Sequence, residues 1–162
     1  MSRVSILAER MESTYQVPLT LGVSDFTIKL DTGAKYTVIS AKAIRDTLTQ
    51  SDLARLKSYC EARGTHKKKF ISASGHSFYG YAVIAHDVEM GGAVLPVFLY
   101  YLMVEIRRDI ALLGFDFIDR CRFTHEPEGD IVLAEFDLNG YGVASGAMDC
   151  DEVIAFLDSL SE

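Results

Sequence analysis

Residues 70–104 constrain the fold more than any other stretch of this chain. The run FISASGHSFYGYAVIAHDVEMGGAVLPVFLYYLMV is rich in β-branched and aromatic side chains and is cut at Gly75-His76 and at Gly91-Gly92. Turn residues of that kind between strand-forming runs specify hairpins, so the stretch predicts two in succession. The same pattern recurs upstream, where residues 15–21 and 26–30 flank Gly22-Val23-Ser24-Asp25. Downstream, Pro127-Glu128-Gly129-Asp130 predicts a turn before a strand over 131–136, and a short strand is expected at 36–39. Helical signals are few. Ser40 stands before Ala41-Lys42-Ala43-Ile44, and Ser51 before DLARLKSYCEAR, where Leu53, Leu56 and Cys60 recur at helical spacing until Gly64. A glycine-containing linker over 139–146 leads to a last helix over 151–160, with Val153, Ile154, Phe156, Leu157 and Leu160 apolar. The sum is a mainly β, mostly antiparallel domain with one inserted helical segment and one terminal helix.

A chain of 162 residues, 49% hydrophobic, suffices for one domain with its own core. Its net charge of −7 argues against a general nucleic-acid or anionic-membrane surface, both of which reward clustered Lys and Arg. The one basic cluster, Lys67-Lys68-Lys69, reads most simply as a solvated loop or strand start. Cys60, Cys121 and Cys150 are odd in number, far apart and without C-x-x-C spacing, which indicates neither a disulfide framework nor a metal site. Charges at Arg3, Glu9, Arg10 and Glu12 leave no apolar core for a signal peptide, and the longest uncharged apolar run, 94–104, is about half of a membrane span. A reduced, cytoplasmic protein is the expectation, with no membrane partner, no metal and no cofactor.

Between the 26–30 and 36–39 strands the chain reads KLDTGAKYTVIS. A turn needs only the glycine, so Asp31 and Thr32 call for another reason. An apolar strand running into Asp31-Thr32-Gly33-Ala34 and out through Thr37-Val38-Ile39 resembles the active-site loop of single-domain, retropepsin-like aspartic proteases. Two further segments resemble that family in the same order. FISASGHSFYGY stands where it carries its flap, a hairpin over the substrate, and Ala111-Leu112-Leu113-Gly114-Phe115-Asp116-Phe117-Ile118 is similar to its apolar-apolar-Gly-x-Asp segment, which packs behind the loop. The resemblance covers residues 15–136 and implies a closed antiparallel acid-protease β-barrel, with a helical insert at 41–63 and the flap at 69–81. Residues 1–14 form an N-terminal segment outside it, and residues 137–162 a linker and C-terminal helix.

The resemblance also implies roles. Asp31 would be the catalytic acid/base, Thr32 a clamp that bonds across a dimer, and Gly33 and Ala34 the space for close approach of the substrate. Ser74, Gly75 and His76 would form the flap tip, and Gly114 and Asp116 the structural support. A lone carboxylate near its reference pKa is a weak general acid at neutral pH, whereas two sharing a site are driven into one ionised and one protonated form, as in aspartic proteases at large. The chain has one such loop, so two carboxylates imply a homodimer with Asp31 meeting its copy on a two-fold axis. The implied substrate is an extended peptide with apolar side chains, its pockets drawn from candidates such as Ala34, Ile71 and the Val83-Ile84 strand.

Plainer readings stand beside these. Asp-x-Gly after a strand is commonly a turn in which Asp bonds its own backbone, and His76 alone is an exposed turn residue and at most a pH modifier. Lys35 and Phe115 occupy places where retroviral enzymes carry a paired aspartate and arginine, so that pair is absent here, with no orphan charge left behind. Actin-like kinases and ATPases also use Asp-x-Gly-x after a strand, but need two large lobes for which the chain has no room. The alternative of another class is a non-catalytic dimeric peptide-binding module of the same fold.

Overall fold

The computed structural model describes residues 3–11, 13–72, 74–125, 131–142 and 145–160. The hairpins fall where the turn residues place them. Strands β2 (Thr14–Leu21) and β3 (Ser24–Leu30) pair antiparallel across Gly22, whose φ of 62° is the left-handed conformation that a tight turn demands of glycine. Strand β6 (Ser77–Met90) is shared by two hairpins, pairing with β5 (Lys67–Ile71) before it and β7 (Ala93–Met103) after it. Strand β5 begins within the lysine run, at Lys67 opposite Tyr81, three residues earlier than the apolar pattern suggests. The turn expected at 127–130 lies outside the described residues.

The sheet closes on itself, but it is mixed rather than purely antiparallel. Short strands β4 (Val38–Ser40) and β8 (Ala111–Leu113) sit between β7 and β3, giving the hydrogen-bonded order β6-β7-β4-β8-β3-β2. Strand β2 then returns to β6 through Leu19↔Met90 and Thr20↔Glu89, completing a six-stranded barrel. Within it β4 runs parallel to β7 and β3 parallel to β8. Parallel neighbours need a long crossover, and here the intervening helices and hairpins supply it. Ile28, Ile39, Tyr81, Phe98 and Leu102 fill the interior.

The sheet reaches beyond residues 15–136 at both ends. Strand β1 (Arg3–Met11) pairs with β10 (Ile131–Asp137) on one side and β2 on the other, burying Ile6 and Ala8 beneath charged neighbours. Strand β9 (Cys121–His125) continues that sheet beside β10. A two-residue strand, β11 (Met148–Asp149), adds to β6 in parallel.

Among the described residues, four helices decorate this frame. Ser40 caps α1 (Ala41–Ile44), accepting from the Ala43 N–H at 3.1 Å. Helix α2 (Gln50–Ala62) is capped by Thr49, not Ser51, because Thr49-x-x-Asp52 allows a reciprocal pair of side-chain bonds to backbone N–H groups, at 2.9 and 3.1 Å. Leu53, Leu56 and Cys60 form its buried face. A single helical turn, α3 (Phe115–Ile118), follows β8. Helix α4 (Cys150–Ser159) docks on its own chain: Val153 and Leu157 are buried, Phe156 stacks on Tyr59 at 4.4 Å, and Ile154 lies over Gly22. Full burial of two such aliphatic side chains contributes about 3–6 kcal/mol, enough to order a helix that is marginal alone. The linker before it is fastened too, by Tyr141, which packs on Phe117 and Phe136 and accepts from the Leu99 N–H at 2.8 Å.

Candidate active site

The Asp31 loop is built from backbone. Leu30 pairs with Leu113, and the Asp31 N–H donates to the Leu113 carbonyl at 3.0 Å, so strand β8 carries the chain up to the aspartate. The Ala34 N–H then returns to the Asp31 carbonyl at 3.1 Å, and the Gly33 N–H donates to Asp31 Oδ1 at 2.9 Å. One carboxylate oxygen is thereby oriented. The other has no protein partner among the described residues. A Cβ on Gly33 would stand 3.2 Å from Oδ1, a tight contact that the glycine relieves. Thr32 is exposed, and its hydroxyl is unbonded among the described residues.

Behind this loop lies the segment from Gly114 to Asp116. The Phe115 N–H donates to the Ala34 carbonyl at 2.7 Å and the Asp116 N–H to the Lys35 carbonyl at 3.2 Å. So close an approach has room for nothing larger than glycine, since a Cβ at residue 114 would lie 2.3 Å from the Tyr36 carbonyl carbon. Thr37, fully buried, ties the two segments: its Oγ1 donates to Asp116 Oδ1 at 2.8 Å and accepts from the Gly114 N–H at 3.1 Å. Asp116 Oδ1 also accepts from the Phe117 N–H at 2.9 Å in the first turn of α3. Sequence reading left Thr37 without a role. A threonine at the head of an aliphatic strand, where a buried hydroxyl demands partners, is the signal that could have found it.

The β5–β6 hairpin overhangs the loop. Its tip closes with Ser72 N–H donating to the His76 carbonyl at 2.8 Å and Gly75 N–H to the Ser72 carbonyl at 2.9 Å, and Gly75 has φ 87°. Ser74, Gly75 and His76 are exposed there. The base of the hairpin is tied to the Asp31 loop by Lys68, whose Nζ donates to the Tyr36 hydroxyl at 3.0 Å and lies 4.2 Å from the ring centre. That hydrogen bond from a cation holds the Tyr36 phenol below its ordinary pKa and raises that of Lys68. Tyr36 also meets Phe70 and Tyr101 edge-on.

Loop, hairpin and the segment after β7 enclose a groove of about 870 Å³. Gly33 and Ala34 form one wall, Lys68 to Ser72 and Phe78 a second, and Ile106, Arg107, Arg108, Ile110 and Leu112 a third. Ala34 and Ile71 line it as the pattern suggested. Val83 does not: it is buried in the barrel wall and borders a separate cavity of about 340 Å³ with Tyr36, His66 and Asp116. Lys35 and Phe115 make no ion pair among the described residues; the Lys35 amine sits 5.6 Å from the Tyr36 ring and Phe115 is about half exposed. No group of three or more His, Cys, Asp or Glu side chains suited to a metal ion forms among the described residues. Cys60 and Cys121 are free thiols that burial pushes up to about 12, Cys150 is also free, and no helix among the described residues is long and apolar enough to cross a membrane.

Comparison with known proteins places the fold. No protein-family model matches the chain. No curated protein matches it either. Among solved structures it is similar to a retropepsin-like aspartic protease from Rickettsia conorii, with a TM-score of 0.51 and 14% identity over 83% of this chain and 92% of that one. The chain therefore has the retropepsin-like aspartic-protease fold, although at this identity the likeness is one of architecture alone.

Proposed function

We propose that the chain is an aspartic endopeptidase that acts as a homodimer and cleaves peptide bonds with a water activated by paired Asp31 carboxylates. The observation that carries this reading is the Asp31 carboxylate itself, with one oxygen held by the Gly33 N–H, the other unpartnered among the described residues, and a peptide-sized groove opening two residues away. Such a group needs a second carboxylate to hold the proton that the first must lack. A second copy of the chain is the natural source. The unbonded hydroxyl of Thr32 and the exposed Phe115 beside Ala34 supply polar and apolar groups for that contact. Gly114 and Thr37 keep the loop in place, and the hairpin with its tip at Ser74, Gly75 and His76 closes over an extended peptide. The unbridged cysteines agree with a reduced, cytoplasmic setting.

Sedimentation together with turnover tests the reading. The particle should have twice the mass of the 18.0 kDa chain, and Asp31→Asn should lower turnover at least about a hundredfold while the dimer and its circular dichroism persist. Cleavage should follow a bell-shaped pH profile, because the dyad fails when both carboxylates are ionised or both protonated. A strict monomer at every concentration removes the dyad. A dimer that binds peptides without cleaving them identifies a non-catalytic module of the same fold.

A further inference from the structure

The groove is basic in an acidic protein. Lys35, Lys68, Lys69, Arg107 and Arg108 all line it, no Asp or Glu among the described residues does, and yet the chain has 23 acidic residues against 16 Lys and Arg. These cations come from three segments that meet only in the folded state: the Asp31 loop, strand β5 and the segment after β7. Their charges are not neutralised. Lys68 bonds a phenol, Lys35 approaches a ring, and Arg107 lies against the Gln50 amide. The side chains of Lys69 and Arg108 make no hydrogen bond or ion pair among the described residues. Like charges gathered around a concave, partly apolar surface repel one another, and although Lys68 ties the hairpin to Tyr36, the set as a whole raises the local concentration of an anionic ligand.

We infer that this groove selects peptides in which acidic side chains flank apolar ones. The inference rests on the peptide-binding reading above and adds the substrate's charge to it. Val38, Met103, Ile110 and Leu112 offer the apolar surface, and the cations stand around it on the loop, on strand β5 and on the segment after β7. A peptide suits this mixture better than a nucleic acid does. The aromatic rings that could stack on bases are already engaged with one another, Phe70 on Phe78 at 6.3 Å and edge-on to Tyr36 and Tyr101.

Two measurements on the full chain test it. The wild-type protein is given a proteome-derived peptide mixture and its cuts are read by mass spectrometry. In parallel, Asp31→Asn binds fluorescent peptides that share one apolar centre and carry Glu, Gln or Lys flanks. Asp and Glu should be enriched around the cuts, and the Glu-flanked peptide should bind about fivefold or more tightly than its Gln counterpart, by a margin that shrinks as salt rises from about 50 to 500 mM. Lys69→Glu with Arg108→Glu should reverse the preference; both residues are exposed, and Lys35→Glu gives an independent second variant. Binding or cleavage indifferent to flank charge overturns the inference alone. A single-stranded oligonucleotide that displaces the Glu-flanked peptide at lower concentration overturns it in favour of nucleic acid. Failure of every peptide to bind or be cut overturns the proposed function beneath it.

Discussion

The helical region around α2 and α4 and the region around Asp31 are fastened by different means. Around the helices, charges are paired: Arg63 with Glu152 at 2.6 Å, Arg45 with Asp158 at 2.6 Å, Lys57 with Glu105 at 2.5 Å and Lys67 with Glu61 at 2.8 Å. Around Asp31 the fastening is backbone fit and a buried threonine, and the cations nearby are left without carboxylates. Ion pairs on half-exposed side chains are forgiving and contribute little each, whereas a close approach of two backbones tolerates no added atom. Four carboxylates thus help to hold elements together around the helices, whereas none of the described ones lines the groove.

Five substitutions break or sharpen this contrast. Gly114→Ala should be the most damaging, at about 3 kcal/mol of stability, because its Cβ meets the backbone of Tyr36 and has no flexible side chain to displace. Thr37→Val keeps the shape but strands the buried Gly114 N–H and removes one of the two hydrogen bonds to Asp116 Oδ1, and should cost about 2 kcal/mol. Urea midpoints at neutral pH measure both, and a smaller loss for either than for Glu152→Gln would undo the contrast.

Glu152→Gln attacks the helical region instead. Its carboxyl is held down at about 2 from the usual 4.5, first by the hydrogen bonds from Arg63 and then by that from Tyr59. A depressed carboxylate stabilises the fold fully above the unfolded pKa and loses that contribution as pH falls through the folded value. With Arg63 half exposed, the loss should be about 1 kcal/mol at neutral pH, and it should fade between pH 4.5 and about 2. Lys69→Ala and Arg108→Ala should change stability by less than about 0.5 kcal/mol, since neither side chain holds anything in the fold. A larger loss would mean that the groove cations are structural.

By itself the sequence determined the hairpins, the helix faces and the Asp31 loop, because each is written in neighbouring residues. Alternation, a glycine at a turn and leucines at helical spacing are local signals, and Asp31, Gly33 and Gly114 stand in short patterns whose chemistry is read directly. Tertiary structure decided what depends on distant partners. The parallel neighbours of β4 and β3 arise from crossovers tens of residues long, which no local period encodes. Strand β1 was hidden because its charged residues face away while Ile6 and Ala8 find their cover only against the rest of the sheet. Helix α4 was legible as amphipathic, but not the surface that buries it. The lysine run read as solvated, since nothing in KKK tells that Lys68 and Lys69 will face Lys35 and Arg108 across one groove. Charge is a property of a residue, whereas a field belongs to the arrangement that folding creates.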